Sequence, residues 1–356
     1  MTETKELFSG NIYIFHAFDV GDDINLEAIE EKQAITTIPL SLPKYFKSYH
    51  APIAVKVPDG SADSRCISCK IHDFGAISLT YKIPFSDTLS NLRKNLDFID
   101  NDCHEQSMLD VKAVFNKISP YITKPKFFDV HASYVVIQVD PKPNISVTQL
   151  QEQFGGVIAS MLRFETETLS EDQKNEILDA AIGYFRGDLV IIDTDASFAY
   201  DAEFEEIQNF FEFTNIQQLE LKYFDSLLAQ QLNRIYEKGV QKIPISSYLP
   251  LLGTLGHDPV VDLGKLKVDI SAITERLEGN IKIAGEPYFS EVYELLEEKL
   301  DLRNWRNGLD RKLAIIQDIR MVYQHKTDAV REDILSLLIV ILIFIELIVG
   351  LLNYLQ

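Results

Sequence analysis

The chain is poor in cysteine, in tryptophan and in positive charge: three Cys, one Trp, and 34 Lys and Arg against 54 Asp and Glu in 356 residues. Each shortage excludes something. Three cysteines suit a reducing compartment and cannot build a disulfide scaffold. A net charge of −20 opposes broad nucleic-acid binding, which depends on cations neutralising phosphates. Short basic stretches remain at Lys44 and Lys47, beside Tyr45 and Phe46, and at Lys124 and Lys126, around Pro125. Both read as solvated loops, so no direct sequence-specific nucleic-acid binding is expected. Residues 1–10 lack an apolar core and an Arg-rich amphipathic pattern, so no secretory or organellar leader is expected.

Signatures of enzymes are missing too. No HExxH, GxSxG or nucleotide-binding fingerprint occurs. Cys66 and Cys69 form a CxxC that, with Cys103-His104, has the residue types of a metal site. Residues 64–71, however, read as a strand, where positions three apart face opposite ways, and no Gly or Pro makes a zinc knuckle. Asp193-Thr194-Asp195 follows an apolar run, as the nucleophile of haloacid-dehalogenase-like phosphatases does, but the chain beyond is helical and a tight hairpin turn is the better reading. Gly253-Thr254-Leu255-Gly256 lacks the lysine of a phosphate loop. His16, His131 and His325 stand alone in sequence, with no partner discernible. No catalytic residue, cofactor or metal is expected.

What is present is a long hydrophobic run. Residues 334–352 are apolar except for Ser336, Glu346 and Gly350. At about 1.5 Å per residue they reach about 28 Å, the hydrocarbon thickness of a bilayer. The expectation is a single membrane-spanning helix close to the C-terminus, inserted after translation. Arg311, Lys312, Arg320, Lys326 and Arg331 precede it and no cation follows it, which places the N-terminal bulk in the cytosol or in a mitochondrial matrix. Glu346 lies about 18 Å into the span, where an ionised carboxylate costs on the order of 3 kcal/mol. It is therefore the candidate for an interhelical contact and for self-association.

Upstream, the first 200 residues alternate short strands with helices. Strands are expected at 12–18, 52–57, 65–71, 76–83, 131–139, 188–192 and 197–200, and helices at 26–32, 89–98, 106–118, 147–164 and 172–184. This is an α+β head with one sheet or two related sheets. After Tyr200 the pattern is helical. Ile207, Phe211, Thr214, Gln218, Leu221, Asp225, Leu228, Leu232 and Ile235 recur at spacings of four and three, a coiled-coil type of seam with polar interruptions at Thr214, Gln218 and Asp225. A second seam carries Leu263, Leu266, Ile270, Ile273 and Leu277; a third opens at Pro287 and carries Leu296, Leu300, Trp305, Leu309, Leu313, Ile316 and Tyr323, with Asn307-Gly308 as its weakest point. Antiparallel packing of the first and third helices, with Gln218 and Asp225 setting register, is the simplest arrangement. The expected domains are a head over 1–200, a helical stalk over 201–333 and a transmembrane helix over 334–353.

Several segments together resemble one family. Glu212-Phe213-Thr214-Asn215-Ile216-Gln217-Gln218-Leu219-Glu220-Leu221-Lys222-Tyr223-Phe224-Asp225 resembles its long helix, Leu309-Asp310-Arg311-Lys312-Leu313 a later segment, and Phe344-Ile345-Glu346 its terminal membrane helix. His72-Asp73-Phe74-Gly75-Ala76-Ile77 and Ala17-Phe18-Asp19-Val20 are similar to its early strands. These are the YagE-like proteins, a domain-of-unknown-function family that includes the mitochondrial required-for-meiotic-nuclear-division proteins. The tryptophan that the family usually carries before the span is missing from Glu332-Asp333-Ile334-Leu335-Ser336. The resemblance implies an integral membrane protein and, for the mitochondrial members, support of organellar translation by holding ribosomes near the inner membrane. It brings no catalytic residues.

The leading expectation is a non-enzymatic tether or assembly factor that self-associates, sits in the bilayer and has the ribosome as its implied partner. The missing leader favours a bacterial inner membrane over a mitochondrial one. An enzyme with an unrecognised small-molecule pocket in the head is the second reading, and a nucleic-acid binder the third.

Overall fold

The computed structural model describes residues 6–40, 51–57, 65–127, 131–238, 268 and 287–354. The basic stretch at 43–47, the glycine pair at 253–256 and the seam residues Leu263, Leu266, Ile270, Ile273 and Leu277 lie outside the described residues.

The described strands form one mixed sheet of nine, in the order β2-β3-β4-β5-β1-β6-β9-β8-β7. They are β1 (Phe8–Asp19), β2 (Thr37–Ile38), β3 (Ile53–Val55), β4 (Cys66–Ile71), β5 (Ala76–Asp87), β6 (His131–Val139), β7 (Ala181–Ile182), β8 (Leu189–Ile192) and β9 (Ala196–Tyr200). The first helices are α1 (Leu26–Glu31), α2 (Leu89–Ile118), α3 (Val147–Leu162) and α4 (Glu171–Leu178). β1 runs through the middle, antiparallel to β5 on one side and to β6 on the other. β6 and β9 are parallel, which requires a long crossover; α3, α4, β7 and β8 fill it. The expected helices at 89–98 and 106–118 are one helix of 30 residues, because neither Gly nor Pro interrupts the intervening stretch. Thr88 caps its start by accepting from the Asn91 amide. α3 opens with a reciprocal Ser146–Gln149 capping box.

β1 is buried on both faces. Ile12, Ile14 and Phe18 join the core beneath α2 and α3, together with Leu92, Val111, Leu150 and Ile158. On the other face, Tyr13 meets Phe204 at 4.9 Å and Phe15 stacks on Phe211 at 6.5 Å between centroids. Phe211 belongs to α5 (Gln208–Lys238). Phe210, Phe211, Thr214, Ile216, Gln217, Leu219 and Leu221 are all buried, so the first half of α5 is enclosed rather than exposed as a stalk. Its apolar residues outside the seam, Phe210, Phe213, Ile216 and Leu219, are the reason.

Two compact units result, 1–223 with 275–306, and 224–274 with 307–356. The first unit therefore reaches past the head boundary expected at 200/201. It also holds α6 (Pro287–Lys299). Within it Phe210 packs on Phe289 at 5.6 Å between centroids, Tyr293 donates to Gln217 at 3.1 Å, and Gln218 Nε2 donates to the Leu300 carbonyl at 3.2 Å. The numbers rise together, so these two segments run parallel, not antiparallel as expected. Antiparallel neighbours presuppose a short connection, whereas here the chain from 239 to 286 intervenes, long enough to return to the same end. α7 (Leu302–Tyr354) follows as one helix of 53 residues, about 80 Å at the usual rise. The break before it falls at Asp301, at φ 58°, and not at Asn307-Gly308. Asp301 accepts at its side chain from Asn304 at 2.6 Å and at its carbonyl from the Trp305 amide at 3.1 Å, starting the helix anew.

A turn at residues 72–76 joins β4 to β5. Gly75 has φ +103°, and a Cβ there would stand 1.9 Å from the Gly21 carbonyl oxygen. Both the backbone angle and the close approach demand glycine. Gly75→Ala is expected to destabilise the first unit by about 2 kcal/mol or more, read as a lowered denaturant midpoint in far-ultraviolet circular dichroism; an unchanged midpoint would contradict this account.

Candidate functional site

The head carries its chemistry in buried clusters on the two faces of the sheet. Beneath α5, Lys70 on β4 donates to Glu212 Oε2 at 2.5 Å, and Ser78 on β5 donates to Glu212 Oε1 at 2.7 Å. Ser78 Oγ lies 3.1 Å from His72 Nε2. All four side chains are buried. Burial by itself would raise the Glu212 carboxyl, but the Lys70 charge and the hydrogen bonds from Lys70 and Ser78 outweigh it and hold the group below its ordinary value. Asn215, one turn on, donates to the Phe15 and Ala132 carbonyls at 3.2 and 3.3 Å. These contacts lock α5 onto the sheet, which is what a buried ion pair with satisfied oxygens does well. Further along, Glu220 and Asp19 are buried as well. Burial, and then the Asp22 charge, push the Asp19 carboxyl up to about 8 despite the Gly21 amide that it accepts from at 3.2 Å. Burial and the Asp19 charge push Glu220 well above its ordinary range.

The opposite face brings three histidines together. His16 on β1, His104 on α2 and His131 on β6 have ring centroids 4.6 Å (His104 to His131), 5.8 Å (His16 to His104) and 6.4 Å (His16 to His131) apart. Sequence offered no partner for His16 or His131; the antiparallel register of β1 and β6 and the long helix α2 supply them. His16 is 1% exposed, and neither of its ring nitrogens has a hydrogen-bond partner. Burial, then His104 and His131, push its pKa down to about 3. His104 thus sits with histidines and not with the cysteines. Among the described residues no three His, Cys, Asp or Glu side chains stand ready to hold a metal ion.

The cysteines depart from the strand geometry expected of them. A register shift between Cys66 and Ser68 lets Cys66 pair with Tyr81 and Cys69 with Leu79. Tyr81 and Leu79 share a sheet face, so the bulge turns both thiols the same way. Cys69 lies in the core and Cys66 packs against it. Burial pushes the Cys66 thiol up to about 12 and Cys69 well above its usual value, so both are inert at neutral pH. Asp193 ends β8 in an antiparallel hairpin with β9, not on the strand end of a parallel sheet as phosphatase chemistry requires. Its carboxylate accepts from Arg163 at 3.1 Å, and its carbonyl from Tyr134 at 2.7 Å.

The seam residues are placed as follows. In the first unit Gln218 bonds the Leu300 carbonyl, Leu221 is buried and Trp305 is half-buried. In the second unit Asp225 Oδ1 accepts from Lys312 Nζ at 2.7 Å, and Leu228, Leu309 and Leu313 are buried. Glu346 is exposed on α7. Among the described residues one stretch, Asp328–Tyr354, is long and apolar enough to cross a membrane, and none of its window is buried.

Residues 9–206 match the family described as the N-terminal domain of uncharacterized protein MJ0711. The chain belongs to this family. The match ends within the first unit, which also holds the first half of α5 and α6. A relative, uncharacterized protein MJ0711 of Methanocaldococcus jannaschii, is 26% identical over 262 residues, 72% of this chain and 76% of its own. No solved structure matches. Lys70, Glu212, Asp19, Glu220 and His104's place beside His16 were missed by sequence reasoning. One signal was available: Glu212 and Glu220 lie on a stretch of helix where Phe210, Phe211, Phe213, Ile216, Leu219 and Leu221 put apolar side chains on every side.

Two outcomes follow from the ionised and neutral groups. Glu212→Gln or Lys70→Met alone should cost about 3 kcal/mol, because each strands a buried partner, and the double variant should cost clearly less than the sum. The Glu212 contribution is present in full above its unfolded value of 4.5 and is lost as pH falls through the lower folded value. Denaturant titration of the four proteins checks the cycle; additive losses would refute coupling. His16 behaves oppositely to a salt-bridged histidine. Unfolded it takes up a proton near 6.5 and folded only near 3, so its stabilising effect is present above about 6.5 and erodes as pH falls between those values. The slope approaches about 1.4 kcal/mol per pH unit, and His16→Leu should flatten it.

Proposed function

We propose that this protein is a C-terminally anchored, single-pass membrane protein whose head serves as a non-enzymatic tether or assembly module. The observation that carries the reading is the segment Asp328–Tyr354, whose most apolar window has no buried residue and which is exposed from Leu335 to Tyr354. A face of Leu, Ile, Val and Phe on all sides of a helix is stable in lipid and costly in water. The basic residues Arg311, Lys312, Arg320, Lys326 and Arg331 before it favour a cytosolic head, by the preference of Lys and Arg for the inner side. The head's charged groups support a binding role over catalysis, since Lys70, Glu212 and Asp193 are spent on internal pairs. The YagE-like resemblance contributes the ribosome as partner.

Alkaline carbonate extraction of membranes tests the anchor. The full chain should stay in the pellet, and a chain ending at residue 327 should move to the supernatant; release of the full chain would refute anchoring. Gradient sedimentation of gently solubilised membranes then tests the tether. Co-migration with ribosomal subunits is expected, lost on removal of residues 1–200, whereas migration as a small self-complex alone would refute the ribosomal partner.

A second reading, a small-molecule site in the head, is favoured by the unsatisfied ring nitrogens of His16, because a buried polar atom without a partner costs about 1–3 kcal/mol. A rise in melting temperature with nucleotides or divalent metal ions, abolished by His16→Leu, would support it.

A further inference from the structure

The membrane segment is not uniform around its circumference. Its polar and glycine residues between 334 and 354 are Ser336, Glu346, Gly350, Asn353 and Tyr354. At 3.6 residues per turn all five fall within an arc of about 100°. The remainder of the surface is Leu, Ile, Val and Phe, and Leu337, Phe344, Ile348 and Leu351 oppose the polar arc. Gly350 is one turn from Glu346 on that arc, and Asn353 two turns from it.

Among the described residues nothing explains these choices. A Cβ added at Gly350 would meet no atom within 4 Å, in contrast to Gly308, which faces Asp225 Oδ1 at 3.8 Å. A glycine inside a helix costs about 1 kcal/mol against alanine, and in lipid its use is to let a second helix approach closely. A carboxyl group in hydrocarbon needs a hydrogen-bonding partner at its own depth. A second copy inserted in the same direction brings its own Glu346 to that depth, and a two-fold axis makes the same patch serve both sides.

We infer that α7 pairs with the α7 of a second copy of this chain, in parallel, along the face formed by Ser336, Glu346, Gly350 and Asn353. The contact places Gly350 at the closest approach of the two helices and leaves the Glu346 carboxyls facing one another. The inference rests on the membrane reading.

Disulfide trapping in native membranes tests it on the full-length chain. Ser336→Cys, Ile343→Cys and Gly350→Cys should give a disulfide-linked dimer on oxidation, several-fold above Leu337→Cys, Phe344→Cys and Leu351→Cys. The unsubstituted chain, whose three cysteines are buried or half-buried, sets the baseline. Adding Glu346→Leu should weaken trapping at position 343, and Glu346→Gln, which keeps the hydrogen bond, should preserve it. Equal trapping on both faces, or none in a chain that resists carbonate extraction, would overturn the pairing while sparing the anchor. Release by carbonate would remove the anchor, and the pairing with it.

Discussion

A sheet strand buried on both faces obliges the fold to supply two layers of helix, and β1 sets that demand here. The face under α2 and α3 is covered by apolar packing from neighbouring segments of the chain. The face under α5 is different. Its cover comes from a helix far along the sequence, and the strands beneath present Lys70 and Ser78 as well as Phe15 and Tyr13. Burying Lys70 without an opposite charge would be prohibitive, so Glu212 is the residue that makes α5 acceptable there. The Lys70–Glu212–Ser78 cluster ties β4, β5 and the first half of α5 together at one point.

The same accounting separates groups that hold the fold from groups that invite a ligand. Arg163 and Asp193, Lys70 and Glu212, and Asp225 and Lys312 have found one another. They define loops and helix positions. His16 has not found a hydrogen-bonding partner, and burial raises the carboxyls of Asp19 and Glu220. These are costs at particular points of the head.

Much of the local structure was legible from pattern. The alternation at Ile12, Ile14, His16 and Phe18 marked β1, and β6 appears over the expected 131–139. Legibility failed where a choice depended on a distant part of the chain. Phe213, Ile216 and Leu219 looked like spare apolar residues beside a coiled-coil seam until a sheet took up the other side of α5. The parallel run of α6 beside α5 could not be read because periodicity records which face of a helix is buried and not which way the partner points. Cys66 and Cys69 turned to one face through a single-residue bulge, which leaves no clear mark in sequence.

The sequence by itself determined most element types of the head and the presence of one helix apolar enough for a bilayer, because each follows from composition and spacing along a short window of chain. Tertiary structure alone decided the order of the nine strands, the meeting of His16 with His104 and His131, and the pairing of Lys70 with Glu212. Those depend on contacts between residues tens to more than a hundred positions apart. Their free energy is set by burial and by charges brought close in a poorly polarisable interior, and neither quantity exists until the chain has folded.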